Sequence, residues 1–404
     1  MEYCLSILWY IASILIIYSG IKYTFKYKFL QLNIKKMIIA IKSKSKNEIS
    51  PLGSLCISLA AKIGVGSLSG IALAIYFGGI GTIFWIVIIS LIVAINTYVE
   101  CNLGIKYRVG YLGGANYYIK NGLNKKYLSY LYSVLLFITY SILFTSIQTN
   151  TIISTTNYFN INGNYVTILI VVVIFLIIIN GLKGISKINS IIVFIMLIFY
   201  FLLGFNIFIN NYANIPGIIV NVIKDACEIK SIIPVFLIGM QRAIFITESS
   251  IGTSAISASS CDNDASKQGM LEILGIYITV FIVSLTTFLI IVTSDYNLVG
   301  IDVKSGIDLV LYAFNYHFGN VGTIFLAIIT ILFAFSTIIS SYYFGETNIM
   351  FFINKQKIKD LFKLFFVLII VLSSFFKSLI LWNITDYLLA FLAIINTYAM
   401  LKLD

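Results

Sequence analysis

Leu59-Ala-Ala-Lys-Ile-Gly-Val-Gly-Ser-Leu-Ser-Gly70 places three glycines, two serines and a lysine inside an otherwise apolar run. A lipid-facing helix gains nothing from that composition. Glycine weakens a helix, and each polar group left bare in hydrocarbon costs several kcal/mol. The stretch makes sense where a membrane helix is broken and its freed backbone groups bind something, which is how many secondary transporters build their sites.

The rest of the chain supplies the membrane. It is 60% hydrophobic and 11% charged, with mean hydropathy +0.99, whereas soluble domains carry roughly 25% charged residues. An integral membrane protein follows. The abundance of Ile, Lys and Asn suits an AT-rich bacterial genome, hence a bacterial cytoplasmic membrane. Cys4, Cys56, Cys101, Cys227 and Cys261 include no close C-x-x-C pair and read as small packing residues. The lone His317 makes no His-based metal cluster, and it reads as a solvated loop residue. The apolar run Leu5 to Ile21 follows an acid and precedes lysines, the reverse of a cleavable leader. It reads as a retained first helix.

A spanning helix needs about 20 apolar residues. Eleven segments qualify: 4–21, 52–77, 82–105, 128–155, 165–181, 188–209, 231–257, 270–293, 320–345, 361–380 and 383–402. The segment 300–317 is too short and too charged to span and reads as an external loop with an amphipathic helix. Nineteen lysines and arginines fall in one set of alternate connections, including Lys46, and four fall in the other, among them Lys304 and Lys377. The positive-inside rule then puts the N-terminus outside and the C-terminus in the cytoplasm. The net charge of +11 is mostly this topology signal; no basic patch with interleaved aromatics points to nucleic acid.

With the first helix set aside, ten remain. Five per half forces the halves into opposite orientations, an inverted repeat. The expected organisation is an N-terminal helix and basic loop over 1–48, a first five-helix repeat over 49–210 and a second over 211–404. The first helix of each half should be the broken one. Gly64-Val-Gly-Ser-Leu-Ser-Gly70 and Thr247-Glu-Ser-Ser-Ile-Gly-Thr-Ser-Ala255 meet that expectation. Gly66 and Gly70 also form a G-x-x-x-G pair that suits plain helix packing, but packing accounts for neither Glu248 nor Lys62. No strand precedes the glycines, so they are no dinucleotide fingerprint.

At these residues the chain resembles the alanine or glycine:cation symporter family. The family's G-T-G-N-I-A-G reads here Gly64-Val-Gly-Ser-Leu-Ser-Gly70, and its G-G-x-G-x-F-W reads Gly78-Gly-Ile-Gly-Thr-Ile-Phe-Trp85. G-G-P-M-Y-Y-I becomes Gly113-Gly-Ala-Asn-Tyr-Tyr-Ile119. R-G-L-F-S-N-E-A-G-M-G-S-A becomes Arg242-Ala-Ile-Phe-Ile-Thr-Glu-Ser-Ser-Ile-Gly-Thr-Ser-Ala255, followed by Gln268-Gly269. F-A-F-T-T-I-L-G-W-Y-Y-Y-G-E becomes Phe333-Ala-Phe-Ser-Thr-Ile-Ile-Ser-Ser-Tyr-Tyr-Phe-Gly-Glu346. The resemblance runs in order from about Ser50 to Asn396.

It implies an all-α, LeuT-like fold that moves a small amino acid with Na+, as a monomer in the bilayer. It also implies roles. The substrate carboxylate is expected at the Gly66 and Ser67 N–H groups, where the dipole of the second half-helix favours an anion. Gly64, Val65, Gln148, Phe245, Thr247 and Ser341 would line the same pocket. Sodium would take the Ser336 and Thr337 hydroxyls and the Ala61 and Gly64 carbonyls. Val65, Ser67, Ile246-Thr247 and Ser341 depart from the family's Thr, Asn, Ser-Asn and Trp, so the pocket is expected to have lost hydrogen-bonding side chains and gained volume at Ser341.

Among the charges in apolar segments, Lys62, Arg242 and Glu248 stand at or near the two expected breaks. An intramembrane charge is a functional candidate by default. Lys62 either pairs across helices with Glu248, snorkels to cytoplasmic water, or replaces the ion's charge and makes coupling proton-dependent. Glu100 reads as an interfacial partner of Lys106 and Arg108. A binding or sensor protein on the same scaffold, or a proton-coupled amino-acid transporter, remains the alternative. An enzyme lacks a nucleophile-and-base pattern, and a channel lacks a repeated filter.

Overall fold

The computed structural model describes residues 2–45, 49–296, 306–376 and 378–404. Lys46, Lys304, Lys377 and the first residues of the 300–317 segment therefore lie outside the described residues. The elements in chain order are α1 (Glu2–Lys26), α2 (Ile34–Ile41), α3 (Pro51–Lys62), α4 (Ser69–Gly78), α5 (Thr82–Tyr107), α6 (Ala115–Asn121), α7 (Lys126–Phe137), α8 (Thr145–Tyr158) and α9 (Gly163–Ile179). They continue with α10 (Gly181–Asn210), α11 (Ile215–Ala226), α12 (Ile232–Thr247), α13 (Thr253–Ser259), α14 (Ala265–Tyr277), α15 (Leu285–Val292), α16 (Ile307–Phe352), α17 (Gln356–Ser373) and α18 (Ser378–Leu403). Among the described residues there is no strand beyond an isolated bridge between Val109 and Leu112.

Each of the predicted segments carries helix. Among the described residues, seven helices are long and apolar enough to cross a bilayer alone, and the bent pair α3 with α4 makes an eighth. The apolar helices over Tyr165–Ile179 and Ile232–Thr247 are shorter. The amphipathic piece expected before residue 318 does form, but it is joined to the following span. α16 runs from Ile307, and only a non-helical Gly319 (φ 59°, ψ −155°) interrupts it.

Among the described residues, two further breaks fall at the predicted places. α3 starts cleanly: Pro51 occupies its first turn and the Ser50 hydroxyl accepts the Gly53 N–H at 2.9 Å. It stops at Ile63, Gly64 is extended (ψ −165°), Val65–Ser67 make one tight turn, and α4 resumes after Leu68. The two pieces meet at 52°. In the second break Glu248, Ser250 and Gly252 all have positive φ (50°, 67° and 101°). No helix survives three left-handed residues in five positions.

Two wider π turns interrupt further spans, Ile138–Phe144 between α7 and α8 and Ile278–Ser284 between α14 and α15. Each is answered by a hydroxyl five residues on: Thr145 Oγ1 donates to the Tyr140 carbonyl and Ser284 Oγ to that of Thr279, both at 3.1 Å. Such turns are frequent at functional sites. The amphipathic α11 is an addition the span count did not foresee. It docks where the Gly81 N–H reaches Asp225 Oδ2 (2.6 Å) and Trp85 Nε1 reaches the Ala226 carbonyl (3.1 Å). α1 lies against α5 and α18, and the Tyr27 hydroxyl is within 2.8 Å of the Asp404 carboxylate.

α5 passes α13 closely at Gly104, where a Cβ would stand 2.8 Å from both Ala255 Cβ and its carbonyl oxygen. Gly104→Ala should therefore cost about 1–3 kcal/mol through overpacking. Gly217→Ala, where a Cβ would meet nothing within 4 Å, should be neutral or slightly stabilising. Thermal unfolding of the two variants in detergent checks the pair; equal Tm values would show that α5 and α13 are not tightly apposed.

Candidate functional site

The first break is held open by side chains from other helices. The Val65 N–H, which would close a helical turn on the Ala61 carbonyl, donates instead to Gln148 Oε1 of α8 at 3.1 Å. The Thr337 hydroxyl of α16 reaches across to the Ala60 carbonyl (2.8 Å) while keeping its own Phe333 carbonyl (3.0 Å). Gly64 has no room for a side chain: a Cβ would lie 2.5 Å from Thr337 Oγ1 and 3.1 Å from Gln148 Nε2. The Ser67 N–H closes on the Gly64 carbonyl at 3.1 Å, which leaves the Gly66 N–H as the free donor of the turn among the described residues.

The two breaks meet through one aromatic ring. Phe245, three residues before Glu248, presents a ring edge to Gly66, where a Cβ would stand 2.5 Å from its Cε1. The ring is stacked between Phe144 (4.7 Å, 12°) and Trp382 (4.6 Å, 31°). Phe144 comes from the end of the first π turn, and Trp382 of α18 also covers Gly70. Arg242, one turn before Phe245, forms a buried ion pair with Asp386. Its guanidinium lies 5.5 Å from the Phe245 ring and 5.0 Å from that of Trp382. Arg242, Trp382 and Asp386 also line a cavity of 510 Å³ together with residues of α1, α4 and α12.

Lys62 is wholly buried and its ammonium belongs to neither water nor Glu248. It contacts Glu272 Oε2 of α14 (2.7 Å), Ser58 Oγ (2.7 Å) and Ser254 Oγ of α13 (3.2 Å). Ser58 adds a second bond to the same carboxylate oxygen at 2.6 Å. This corrects the expected Lys62–Glu248 pair and rules out snorkelling, since α14 packs directly on α3 and delivers an acid first. Glu100 is likewise no interfacial residue. It lies two turns inside the end of α5, fully buried, with Asn396 Nδ2 on its Oε1 at 2.7 Å. Arg108 turns instead to Asp262 (3.5 Å) and the Cys261 carbonyl (2.6 Å). His317 is half-buried, its Nε2 3.0 Å from the Ile290 carbonyl.

The sodium:alanine symporter family model matches residues 1–404, the whole chain. The chain belongs to that family. The "Probable sodium/glutamine symporter GlnT" of Bacillus subtilis (strain 168) is 32% identical over 97% of this chain and 85% of its own length. The "Amino-acid carrier protein AlsT" of the same organism is 28% identical over 96% and 86%. Among solved structures, MhsT in complex with L-phenylalanine superposes with a TM-score of 0.68 over 89% of each chain at 13% identity. The fold is LeuT-like, as the motifs implied.

In this symporter-family chain, the expected residues are distributed as follows. Gly64, Val65, Gly66, Gln148, Phe245 and Thr337 converge on the first break. Ser336 is buried but bonds back to the Phe333 carbonyl (3.0 Å). Thr247 donates to the Ala243 carbonyl (2.7 Å) and accepts the Ser249 N–H (3.3 Å), capping its own helix. Ser67 Oγ reaches only the Lys62 carbonyl, at 3.4 Å. Ser341 is buried with no hydrogen-bond partner for its hydroxyl among the described residues. Glu272, Asp386, Phe144 and Trp382 were missed. The two acids carried a visible signal, a charge within an apolar segment; the two aromatics carried none.

Removing one member of a buried pair strands the other. Lys62→Met should cost about 3–5 kcal/mol, and the double variant Lys62→Met with Glu272→Met should recover most of it. Chemical unfolding in detergent measures both; a double variant as unstable as the single one would mean the pair does not act as a unit.

Proposed function

We propose that this chain is a secondary active transporter that moves a small neutral amino acid, alanine or glycine, together with Na+ by alternating access. The observation that carries the reading is the contact of Gly66, in the first unwound segment, with Phe245, in the last turn of α12 before the second. Membership of a sodium:alanine symporter family supports it. The free Gly66 N–H, at the start of the turn leading into α4, takes the substrate carboxylate; backbone donors at a helix start favour an anion. Gln148 holds the turn in shape through Val65 and offers its amide to the pocket. Phe245 forms the wall over the substrate, with Thr247, Ser341 and Ser67 as the small polar lining. A ring pressed against a glycine leaves room for a short side chain, which favours alanine or glycine over glutamine.

Sodium is the second cargo. The Ala61 and Gly64 carbonyls with the Ser336 and Thr337 hydroxyls make an all-oxygen set suited to a hard cation. Thr337 already joins α16 to α3 through the Ala60 carbonyl at 2.8 Å. An ion bound there would tighten the same joint, so sodium and substrate would each raise the other's affinity by linkage. The two five-helix repeats, 49–210 and 211–404, would rock about this point, with the N-terminus outside, the C-terminus cytoplasmic and the monomer as the working unit.

Radiolabelled alanine, glycine and glutamine uptake into proteoliposomes, with and without a sodium gradient, tests the reading. Gradient-dependent accumulation of alanine or glycine is expected. Thr337→Ala should raise the sodium concentration for half-maximal uptake by about tenfold, the loss of one hydroxyl ligand at about 1.4 kcal/mol. Phe245→Ala should weaken substrate binding without changing sodium dependence. Ligand binding with no flux in any gradient would leave a sensor on a transporter scaffold instead.

A further inference from the structure

The chain turns a sharp corner where α1 hands over to α2. Lys28 and Phe29 both have positive φ (51° and 56°), a costly conformation for side chains of that size. The Leu30–Leu32 turn follows, and the Asn33 side chain accepts the Lys36 N–H at 3.0 Å to start α2. Tyr277 of α14 fixes the corner from inside, its hydroxyl donating to the Gln31 carbonyl at 2.7 Å. Outside, the turn brings Phe29 beside Phe25, edge to face at 5.5 Å, and both rings are exposed. With Ile21, Leu32 and Ile92 of α5 they line an apolar groove of 230 Å³. α1 and α5 are each long and apolar enough to span, so the groove between them is within reach of lipid tails.

The charge around this groove is of one sign. Between Glu2 and Glu48 the sequence carries eight lysines and no acid. Lys26 reaches Asp404 at 2.9 Å. Lys22, Lys28, Lys35 and Lys36 have no carboxylate partner among the described residues. α2 extends the same surface: Ile34, Ile38 and Ile39 are more than half exposed, while Met37 and Ala40 are buried and α14 packs on the helix. An exposed apolar face interleaved with lysines is the pattern of a helix lying in a lipid headgroup layer. The positive-inside rule accounts for lysines in such a connection. It accounts for neither the exposed isoleucines nor the groove.

We propose that the α1–α2 corner is a binding site for one anionic phospholipid. An acyl chain fills the groove beside Phe25 and Phe29, and Lys22, Lys28, Lys35 and Lys36 hold the phosphate. A zwitterionic lipid carries its own ammonium and gains less from four uncompensated cations. Occupation steadies α2 on α14, and α14 holds the first broken helix through Glu272 and Lys62. The lipid therefore acts on stability. The site stands whether or not the chain carries an amino acid, since it lies apart from the proposed pocket.

Native mass spectrometry of the full chain, held in detergent with equal amounts of phosphatidylglycerol and phosphatidylcholine, reads the lipid retained. Wild type should retain one phosphatidylglycerol with about tenfold preference over phosphatidylcholine, and phosphatidylglycerol alone should raise Tm. The fourfold variant Lys22→Gln, Lys28→Gln, Lys35→Gln and Lys36→Gln should lose the preference. A matched fourfold Lys→Gln variant at Lys126, Lys355, Lys357 and Lys359 should keep it. Ile21→Trp, which plugs the groove and leaves every lysine in place, should also lose it; this separates a seated lipid from attraction to a charged surface. Soluble glycerol phosphate should not compete, because it brings no chain for the groove. Equal retention of the two lipids by wild type would mean ordinary annular lipid only and would overturn the proposal. So would loss of the preference in the matched variant, or an unchanged preference in Ile21→Trp. If Ile21→Trp does not fold, Phe29→Asn takes its place, since asparagine accepts the left-handed backbone and removes one wall. None of these outcomes touches the transporter reading, which amino-acid flux decides.

Discussion

The hydrogen bond from the Val65 N–H to Gln148 is the constraint on which the site turns. A helix in lipid cannot drop a backbone bond without a replacement, so the break at Gly64 exists only because α8 supplies an amide and α16 supplies the Thr337 hydroxyl. Those two groups turn a weak spot of composition into a fixed turn with defined geometry. Phe245 can then lie on Gly66, and through that ring the second broken helix is registered against the first. The aromatic stack, the Arg242–Asp386 pair and the cavity beside them are arranged around that contact.

The polar interior follows a second rule. Among the described residues, the buried charges near the breaks each have a specific partner: Lys62 with Glu272, Arg242 with Asp386, Glu248 with Thr253 and Glu100 with Asn396. Lys62 and Glu272 tie the lower half of the first broken helix to α14, and Ser54 adds a bond to the Ser257 carbonyl at 2.6 Å. Thr337 and Ser340 tie the same helix to α16, the latter through the Ile57 carbonyl at 2.8 Å. A helix fastened at four heights to three neighbours does not move by itself. Any opening on that side has to carry α14 and α13 along or release their bonds together.

The breaks were legible in the sequence because glycine, serine and acid clustered inside an apolar run are too costly for a continuous lipid-facing helix. The LeuT-like fold followed from the motifs. Partners across the bundle were not legible. Lys62 and Glu272 are separated by 210 positions, and no periodicity along one helix says which neighbour faces it. A census of every acid within an apolar segment would have named Glu272 and Asp386 alongside Glu248. The π turns leave no spacing signature, so the placement of Tyr140 and Phe144 had to come from coordinates. α11 was overlooked for a simpler reason: a search for spans of about 20 residues passes over a twelve-residue helix lying along the surface.

The contact of an aromatic ring with a bare glycine has an evolutionary side. Main-chain amides do not mutate, and glycine presents nothing but main chain. A recognition surface made of them keeps its grip on the part common to all amino acids while the surrounding side chains drift. If the proposed anchor holds the substrate, changes such as valine, serine and serine at positions 65, 67 and 341 would retune which side group is admitted without rebuilding it. A lineage carrying this arrangement is free to diversify its diet one residue at a time.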